Sequence, residues 1–116
     1  MSKSDQNAPK GAAKTSEAAK EIMKPYRAQI DALDDKIVDL MIERLGVVRE
    51  VAQFKLKNKI PAVLEDRIAE VIDRAGDRVE ASISGEVGED DADRIREIYA
   101  LMVVICCDLE EELMEQ

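Results

Sequence analysis

The apolar residues of the first half of the chain follow the spacing of an α-helix. From Pro25 they recur at steps of three and four residues, which places on one narrow face Ile30, Leu33, Ile37, Leu40, Val47, Val51 and Phe54. Pro25 suits the first turn of this helix, whereas Asn58 and Pro61 indicate its end. The pattern therefore predicts a long first helix over residues 25–58.

Two shorter patterns predict two more helices. Apolar residues at Leu64, Ile68 and Val71 indicate a second helix over residues 64–77, which Gly76 helps to end. Serine and glycine residues within 78–88 predict a loop. A third helix is expected to begin at 89–91, with an apolar face made of Ile95, Ile98, Tyr99, Met102, Val103, Cys106, Leu109 and Leu113. The predicted fold class is all-α, with three helices per chain.

The segment before Pro25 has a different composition. Residues 1–24 are rich in Lys, Ala, Ser and Gly and lack an apolar stripe. We expect a disordered or frayed N-terminal tail here, with a frayed helix over residues 16–24 as its most ordered part. Residues 25–116 then form the folded domain.

The predicted first helix is too long for one small domain to cover. At about 1.5 Å per residue, residues 25–58 would span roughly 50 Å, whereas a domain of this size is roughly 30–35 Å across. Two shorter helices leave part of the apolar stripe uncovered. A second copy would cover it, which predicts an interleaved helical homodimer. The alternative is a monomeric three-helix bundle with a protruding arm.

Composition excludes several classes of function. The net charge is −9, and the C-terminal residues are mostly acidic, so a nucleic-acid partner is not expected. The chain has no histidine, which argues against a zinc site and against a Cys–His nucleophile at Cys106 or Cys107. No segment has the length of a membrane span or the apolar core of a secretory signal. These features favour a cytoplasmic protein with reduced thiols.

Charged residues interrupt the predicted apolar faces. Arg44 occupies a slot of the first stripe, and Lys55 lies at its edge. Burying a cation costs free energy unless a nearby anion forms an ion pair with it. Arg27, Arg67 and Glu110 border apolar seams in the same way. Each cation could instead extend to the surface, and Glu110 could simply pair with Lys55 or Arg44. Together, however, they suggest a pocket that binds a compact anion and stabilises developing charge.

These residues carry a family resemblance. The run from Arg27 to Arg44 reads R-x-x-I-D-x-L-D-x-x-I-x-x-L-x-x-E-R, and Lys55, Pro61 and Arg67 follow it. With this pattern, residues 26–113 resemble the all-helical class of chorismate mutases, closely over the first helix and only in spacing and hydrophobicity over the third. The resemblance implies an intertwined all-α homodimer with two equivalent sites, in which Arg27 reaches into the site of the partner.

The resemblance also implies a mechanism without cofactor or metal. Arg27, Arg44 and Arg67 would bind the two carboxylates of chorismate and select its folded conformer. Lys55 and Glu110 would contact the ether oxygen from two sides while a concerted rearrangement produces prephenate. This reaction belongs to the shikimate pathway and leads to aromatic amino acids. It needs only restraint and electrostatic stabilisation, which agrees with the residue types present.

Three positions depart from the family pattern. The family often has Gln where this chain has Glu110, so Glu110 must be protonated to donate a hydrogen bond, which predicts a rate that rises toward acidic pH. Ile68 stands where Glu usually binds the ring hydroxyl, so the backbone near Leu64 would have to do so. Cys106 replaces a small hydroxyl residue that helps to bind a carboxylate in some members.

Two other functions remain open at this point. Isochorismate-pyruvate lyases share the implied fold and have an apolar residue at the position of Ile68, although their loop after the lysine is shorter. A non-enzymatic helical dimerisation module, whose buried charges fix the register of its helices, is the second alternative. The module predicts that Arg44→Ala changes stability or oligomeric state without any loss of ligand binding.

Overall fold

A computed structural model describes residues 15–115 of the chain. Within this range there are three α-helices and no strand: α1 spans Ser16–Asn58, α2 spans Glu65–Ser82 and α3 spans Gly85–Met114. The predicted all-α class with a long first helix is therefore confirmed for the described residues. The predicted tail lies partly outside this range, and the division of the chain at residue 25 stays a prediction.

Helix α1 begins earlier than the sequence pattern predicts. The expected start at Pro25 is wrong, because the helix begins at Ser16 and continues through Pro25. The Oγ1 atom of Thr15 accepts a hydrogen bond of 3.1 Å from the backbone N–H of Ala18, which caps the first turn. Pro25 removes only one helical hydrogen bond, and exposed backbone can bond to water in its place. The segment over 16–24 is thus continuous with α1.

Helix α1 ends where the sequence predicts, at Asn58. Lys59 has a φ of 60°, in the left-handed region that often follows a helix. The N–H of Ile60 then donates to the carbonyl oxygen of Lys55 at 2.9 Å, which satisfies an orphan carbonyl of the last turn. The Asn58 side chain donates to the carbonyl oxygen of Phe54 at 2.8 Å. Together these bonds fix the start of the loop that leads to α2.

The loop predicted over residues 78–88 is wrong. Helix α2 continues to Ser82 and α3 begins at Gly85, so only Ile83 and Ser84 connect them. Residues 78–81 are mostly good helix formers, and the Ser82 hydroxyl donates back to the carbonyl oxygen of Arg78 at 2.9 Å. Gly85 has a φ of 82°, a conformation that a side chain would strain. The glycines here serve a tight helical hairpin rather than a flexible loop.

Over the described residues the chain divides into two units, one that ends at residue 41 and one that begins at residue 42. In the first unit, the described residues from Ser16 onward are helical and expose many large apolar side chains. In the second unit α2 packs against α3, and the buried apolar side chains are small, namely Ala52, Ala92, Val103 and Cys106. None of the helices described over residues 15–115 is both long and apolar enough to cross a membrane.

Candidate active site

A cavity of about 440 Å³ lies in the unit formed by residues 42–116. The last part of α1, the loop after it, α2 and α3 all contribute to its lining. Six of the seven residues singled out from the sequence line this cavity: Arg44, Lys55, Leu64, Arg67, Cys106 and Glu110. Most of the remaining wall is apolar, with Val47, Val48, Val51, Ile68, Val71 and Val103. The seventh, Arg27, belongs to the other unit and does not line the cavity.

Lys55 and Glu110 form a buried ion pair at one side of the cavity. The Nζ atom of Lys55 donates to Glu110 Oε1 at 2.7 Å and to the carbonyl oxygen of Ala62 at 2.8 Å. The two side chains are only 13% and 10% exposed. These contacts join the last turn of α1, the following loop and α3. An ammonium group has three N–H donors, so one of them stays available for a ligand.

The sequence left two cations, Lys55 and Arg44, as possible ion-pair partners of Glu110. It gave no indication of the contact with Ala62, because any residue type has a backbone carbonyl that can accept a hydrogen bond. The carbonyl at position 62 is directed by the left-handed turn at Lys59 and by Pro61, which end α1. The position of the Lys55 ammonium is thus fixed by the way the helix ends.

Arg44 lies half-buried in the cavity wall. Its Nη1 donates to the Sγ atom of Cys106 at 3.1 Å, a weak acceptor compared with an oxygen. Among residues 15–115, no carboxylate forms an ion pair with Arg44. A partly desolvated guanidinium with unused N–H donors is well suited to bind a carboxylate in bidentate fashion.

Arg67 and Leu64 stand at the first turn of α2. Arg67 is exposed and forms a surface ion pair with Glu70 on the same helix, a kind of contact that contributes little and exchanges readily. Leu64 occupies the N-cap position of α2 without a side-chain capping hydrogen bond. The Leu64 side chain therefore does not cap the first backbone N–H groups of α2, and Arg67 can exchange its surface partner Glu70 for an anion.

Both cysteines are free thiols, as the sequence suggests. Burial raises the pKa of the Cys107 thiol above its ordinary value of 9.0, and the Glu110 carboxylate raises it further, whereas Lys55 lowers it. Cys107 therefore stays a neutral thiol near pH 7, which makes it a poor nucleophile. Cys106 acts in the cavity as the acceptor for Arg44.

The cavity has the chemistry of an anion site with an apolar wall. Three cationic side chains, Arg44, Lys55 and Arg67, line it together with one carboxylate. The aliphatic walls can hold an apolar ring while the cations hold its charged substituents. In the described part of the chain no group of His, Cys, Asp and Glu residues is arranged to hold a metal ion. These residues can bind an anionic ligand, restrain its conformation and stabilise charge that develops on it.

Comparison with known proteins assigns the family. The family model described as "Chorismate mutase type II" matches residues 26–111. No curated protein and no solved structure matches the chain. The matched range contains all seven residues singled out from the sequence, including Arg27 and Glu110. It leaves out the first 25 residues and the last five, and covers most of the chain. The chain belongs to the chorismate mutase type II family.

Proposed function

We propose that this protein converts chorismate to prephenate by a concerted rearrangement. Membership of the chorismate mutase type II family supports this activity in general. The observation that carries the detailed proposal is the convergence of Arg44, Lys55 and Arg67 on one apolar-walled cavity. The substrate has a carbon ring and two carboxylates, which matches the combination of an aliphatic wall and several cations.

In this mechanism the arginines restrain the substrate. Arg44 and Arg67 each bind a carboxylate, and these contacts hold the enolpyruvyl side chain over the ring, so that the two carbon atoms that must bond lie close together. Such restraint holds the substrate in a reactive conformer that is rare in solution. It can lower the free-energy barrier of the rearrangement by several kcal/mol. The backbone N–H groups at the uncapped start of α2 beside Leu64 bind the ring hydroxyl.

Lys55 and Glu110 stabilise the ether oxygen. As the C–O bond breaks and the C–C bond forms, negative charge develops on this oxygen. Ala62 and Glu110 hold the Lys55 ammonium in place through two of its N–H donors. The third N–H donates to the ether oxygen. One preorganised donor of this kind contributes about 3–4 kcal/mol. Glu110 contributes by holding the Lys55 ammonium in place through their ion pair. The reaction needs no external acid, base or cofactor.

We also propose that the active form is a homodimer in which Arg27 completes the site of the partner. Support comes from the apolar face of α1 before residue 42, where Ile30, Leu33, Ile37 and Leu40 are 53–64% exposed. A long helix with such a face is not stable in water unless another surface covers it. A second copy supplies that surface, and an intertwined dimer brings Arg27 to a site that its own unit does not form. Two free thiols favour a cytoplasmic location for this dimer.

The first test is an assay of the purified protein with chorismate and isochorismate, given separately at pH 5.5 and pH 7.5. We expect prephenate from chorismate at both pH values. Arg44→Ala should lower kcat/KM by about 100-fold or more, because it removes a bidentate carboxylate contact and the restraint it imposes. A kcat/KM that Arg44→Ala leaves unchanged would contradict the proposed role of Arg44.

A lyase that releases pyruvate from isochorismate is the second candidate. Ile68 favours it, since this apolar side chain lines the cavity where a mutase usually has a carboxylate. Preferential release of pyruvate and salicylate from isochorismate would replace the mutase by this lyase. If neither substrate reacts and Arg44→Ala changes only the oligomeric state, the protein is instead a dimerisation module.

A mixing experiment tests the crossing of Arg27. Arg27→Ala and Arg44→Ala homodimers should each be inactive with chorismate. After the two variants are unfolded together and refolded as a mixture, half of the dimers are heterodimers, and each heterodimer has one site with both arginines intact. We therefore expect about a quarter of the wild-type activity to return, as a closed two-fold dimer with shared sites requires. No recovery in a mixture that refolds to dimers would show that Arg27 serves its own subunit.

A further inference from the structure

The loop that follows α1 is tied twice to Lys55. The backbone N–H of Ile60 donates to the Lys55 carbonyl oxygen at 2.9 Å, and the N–H of Lys59 donates to the Leu56 carbonyl oxygen at 3.4 Å. These two bonds form a Schellman motif, in which Lys55 and Leu56 supply the two acceptors. The Nζ atom of Lys55 then donates to the carbonyl oxygen of Ala62 at 2.8 Å. The main chain and the side chain of Lys55 therefore hold the same short loop.

Lys59 gives this loop its direction through its backbone conformation. Its φ is 60°, and among residues 15–115 no other residue except a glycine has a positive φ. A Schellman motif usually has glycine at this position, because a side chain disfavours the left-handed region. Within the same range the Lys59 side chain is exposed and forms no ion pair. The fold therefore uses the backbone of this residue rather than its ammonium group.

Pro61 restrains the same loop between the left-handed turn and Ala62. The proline ring fixes its own φ and disfavours helical backbone at the residue before it, so few backbone torsions in this stretch stay free. Ile60, Ala62 and Val63 are half-buried, which anchors the loop to the rest of its unit. The carbonyl of Ala62 is thus held against the lysine ammonium by a loop with little conformational freedom.

We propose that Lys59 is a positioning residue for the reaction, and that it acts through its left-handed backbone rather than through its charge. Its conformation sets the Ala62 carbonyl against Lys55, and this contact aims the remaining N–H of the ammonium at the ether oxygen. The effect on turnover rests on the function proposed above, whereas the restraint of Lys55 does not. Because the arginines that bind the substrate carboxylates lie outside the loop, a change at position 59 alters kcat and leaves KM nearly unchanged.

Four substitutions test this role through the steady-state kinetics of chorismate turnover. Lys59→Gly and Lys59→Asn remove the charge but allow the left-handed region, so kcat should stay within about twofold of wild type. Lys59→Val introduces a β-branched side chain, which disfavours that region strongly. We expect it to lower kcat by about tenfold or more at nearly constant KM, since misplacing a reacting group by about 1 Å can cost about 100-fold in rate. Lys57→Val is the matched control, because it places the same side chain at an exposed position within α1, and it should keep the kcat of wild type.

A chemical readout follows Lys55 without any turnover. Wild type and the Lys59 variants are treated briefly with acetic anhydride, and mass spectrometry gives the acetylation rate of Lys55 relative to that of exposed Lys57. In wild type the Lys55 side chain is 13% exposed and donates two hydrogen bonds, so it should react slowly. Lys59→Val should raise the relative rate about threefold or more, because local opening of the loop exposes the amine more often. Lys59→Gly and Lys59→Asn should leave it unchanged.

Pro61→Gly takes the place of Lys59→Val if the latter does not fold. It loosens the loop from its other end, so it should also lower kcat and speed the acetylation of Lys55. A variant of this kind that keeps the wild-type kcat, or that loses kcat without faster acetylation of Lys55, refutes the positioning role. Equal losses in Lys59→Gly and Lys59→Val would assign the effect to the charge and refute it as well. If wild type does not turn over chorismate, the proposed function fails, and the acetylation rates alone decide whether Lys59 restrains Lys55.

Discussion

Lys55→Ala is expected to lower the turnover of chorismate by about 100- to 1000-fold, since the proposed donor to the ether oxygen contributes about 3–4 kcal/mol. The same variant should unfold more easily. Removing Lys55 leaves the carboxylate of Glu110 without its partner at a side-chain exposure of 10%, and breaking a buried pair in this way costs about 3–5 kcal/mol. Initial rates of prephenate formation and urea unfolding at a fixed protein concentration measure the two effects.

A double substitution separates the loss of turnover from the loss of stability. Lys55→Ala/Glu110→Gln removes both charges, so it should recover most of the stability lost in Lys55→Ala while turnover stays low, because no cation faces the ether oxygen. Lys57→Ala serves as the control, since Lys57 is exposed near the end of the same helix. If the double variant regained turnover as well, the ion pair would serve only to hold the helices in place, and Lys55 would have no direct part in the reaction.

Gly88→Ala is expected to be among the most destabilising single changes in the fold. A Cβ atom at this buried position would lie 1.8 Å from the carbonyl oxygen of Ile83 and 2.7 Å from its carbonyl carbon. Those are backbone atoms of the short connection between α2 and α3, so they cannot swing aside as a side chain would. We expect a loss of about 3 kcal/mol in the free energy of unfolding and a Tm lower by roughly 10–20 °C, measured by thermal unfolding.

Gly46→Ala is the matched control, because a Cβ atom at position 46 meets nothing within 4 Å. Alanine is the better helix former, so this variant should be as stable as wild type or slightly more so. Both variants must be compared at the same protein concentration, since the proposed dimer would make stability depend on concentration. A Gly88→Ala protein that melts with the wild type would show that the connection between α2 and α3 relaxes at little cost.

The errors at the helix boundaries have a common cause. The sequence pattern treats glycine, serine and proline as breaks, and it therefore predicts a helix start at Pro25 and a loop over 78–88. In the structure Thr15 caps α1 ahead of Pro25, and Gly88 lets the backbone of Ile83 approach closely. Whether a glycine gives flexibility or close packing depends on what lies against it, and one-dimensional spacing carries no information on that.

The sequence by itself determined the all-α class, the number of helices within residues 15–115, the end of α1 and six of the residues that line the cavity of the candidate site. These follow from local rules, because helical periodicity, capping and the cost of a cation in an apolar stripe all depend on residues that are close in the sequence. The tertiary structure alone decided which groups the charged side chains contact: Lys55 contacts Glu110 and the carbonyl of Ala62, and Arg44 contacts the sulfur of Cys106. Such contacts depend on distances between residues far apart in the chain, which only the packing of the helices sets.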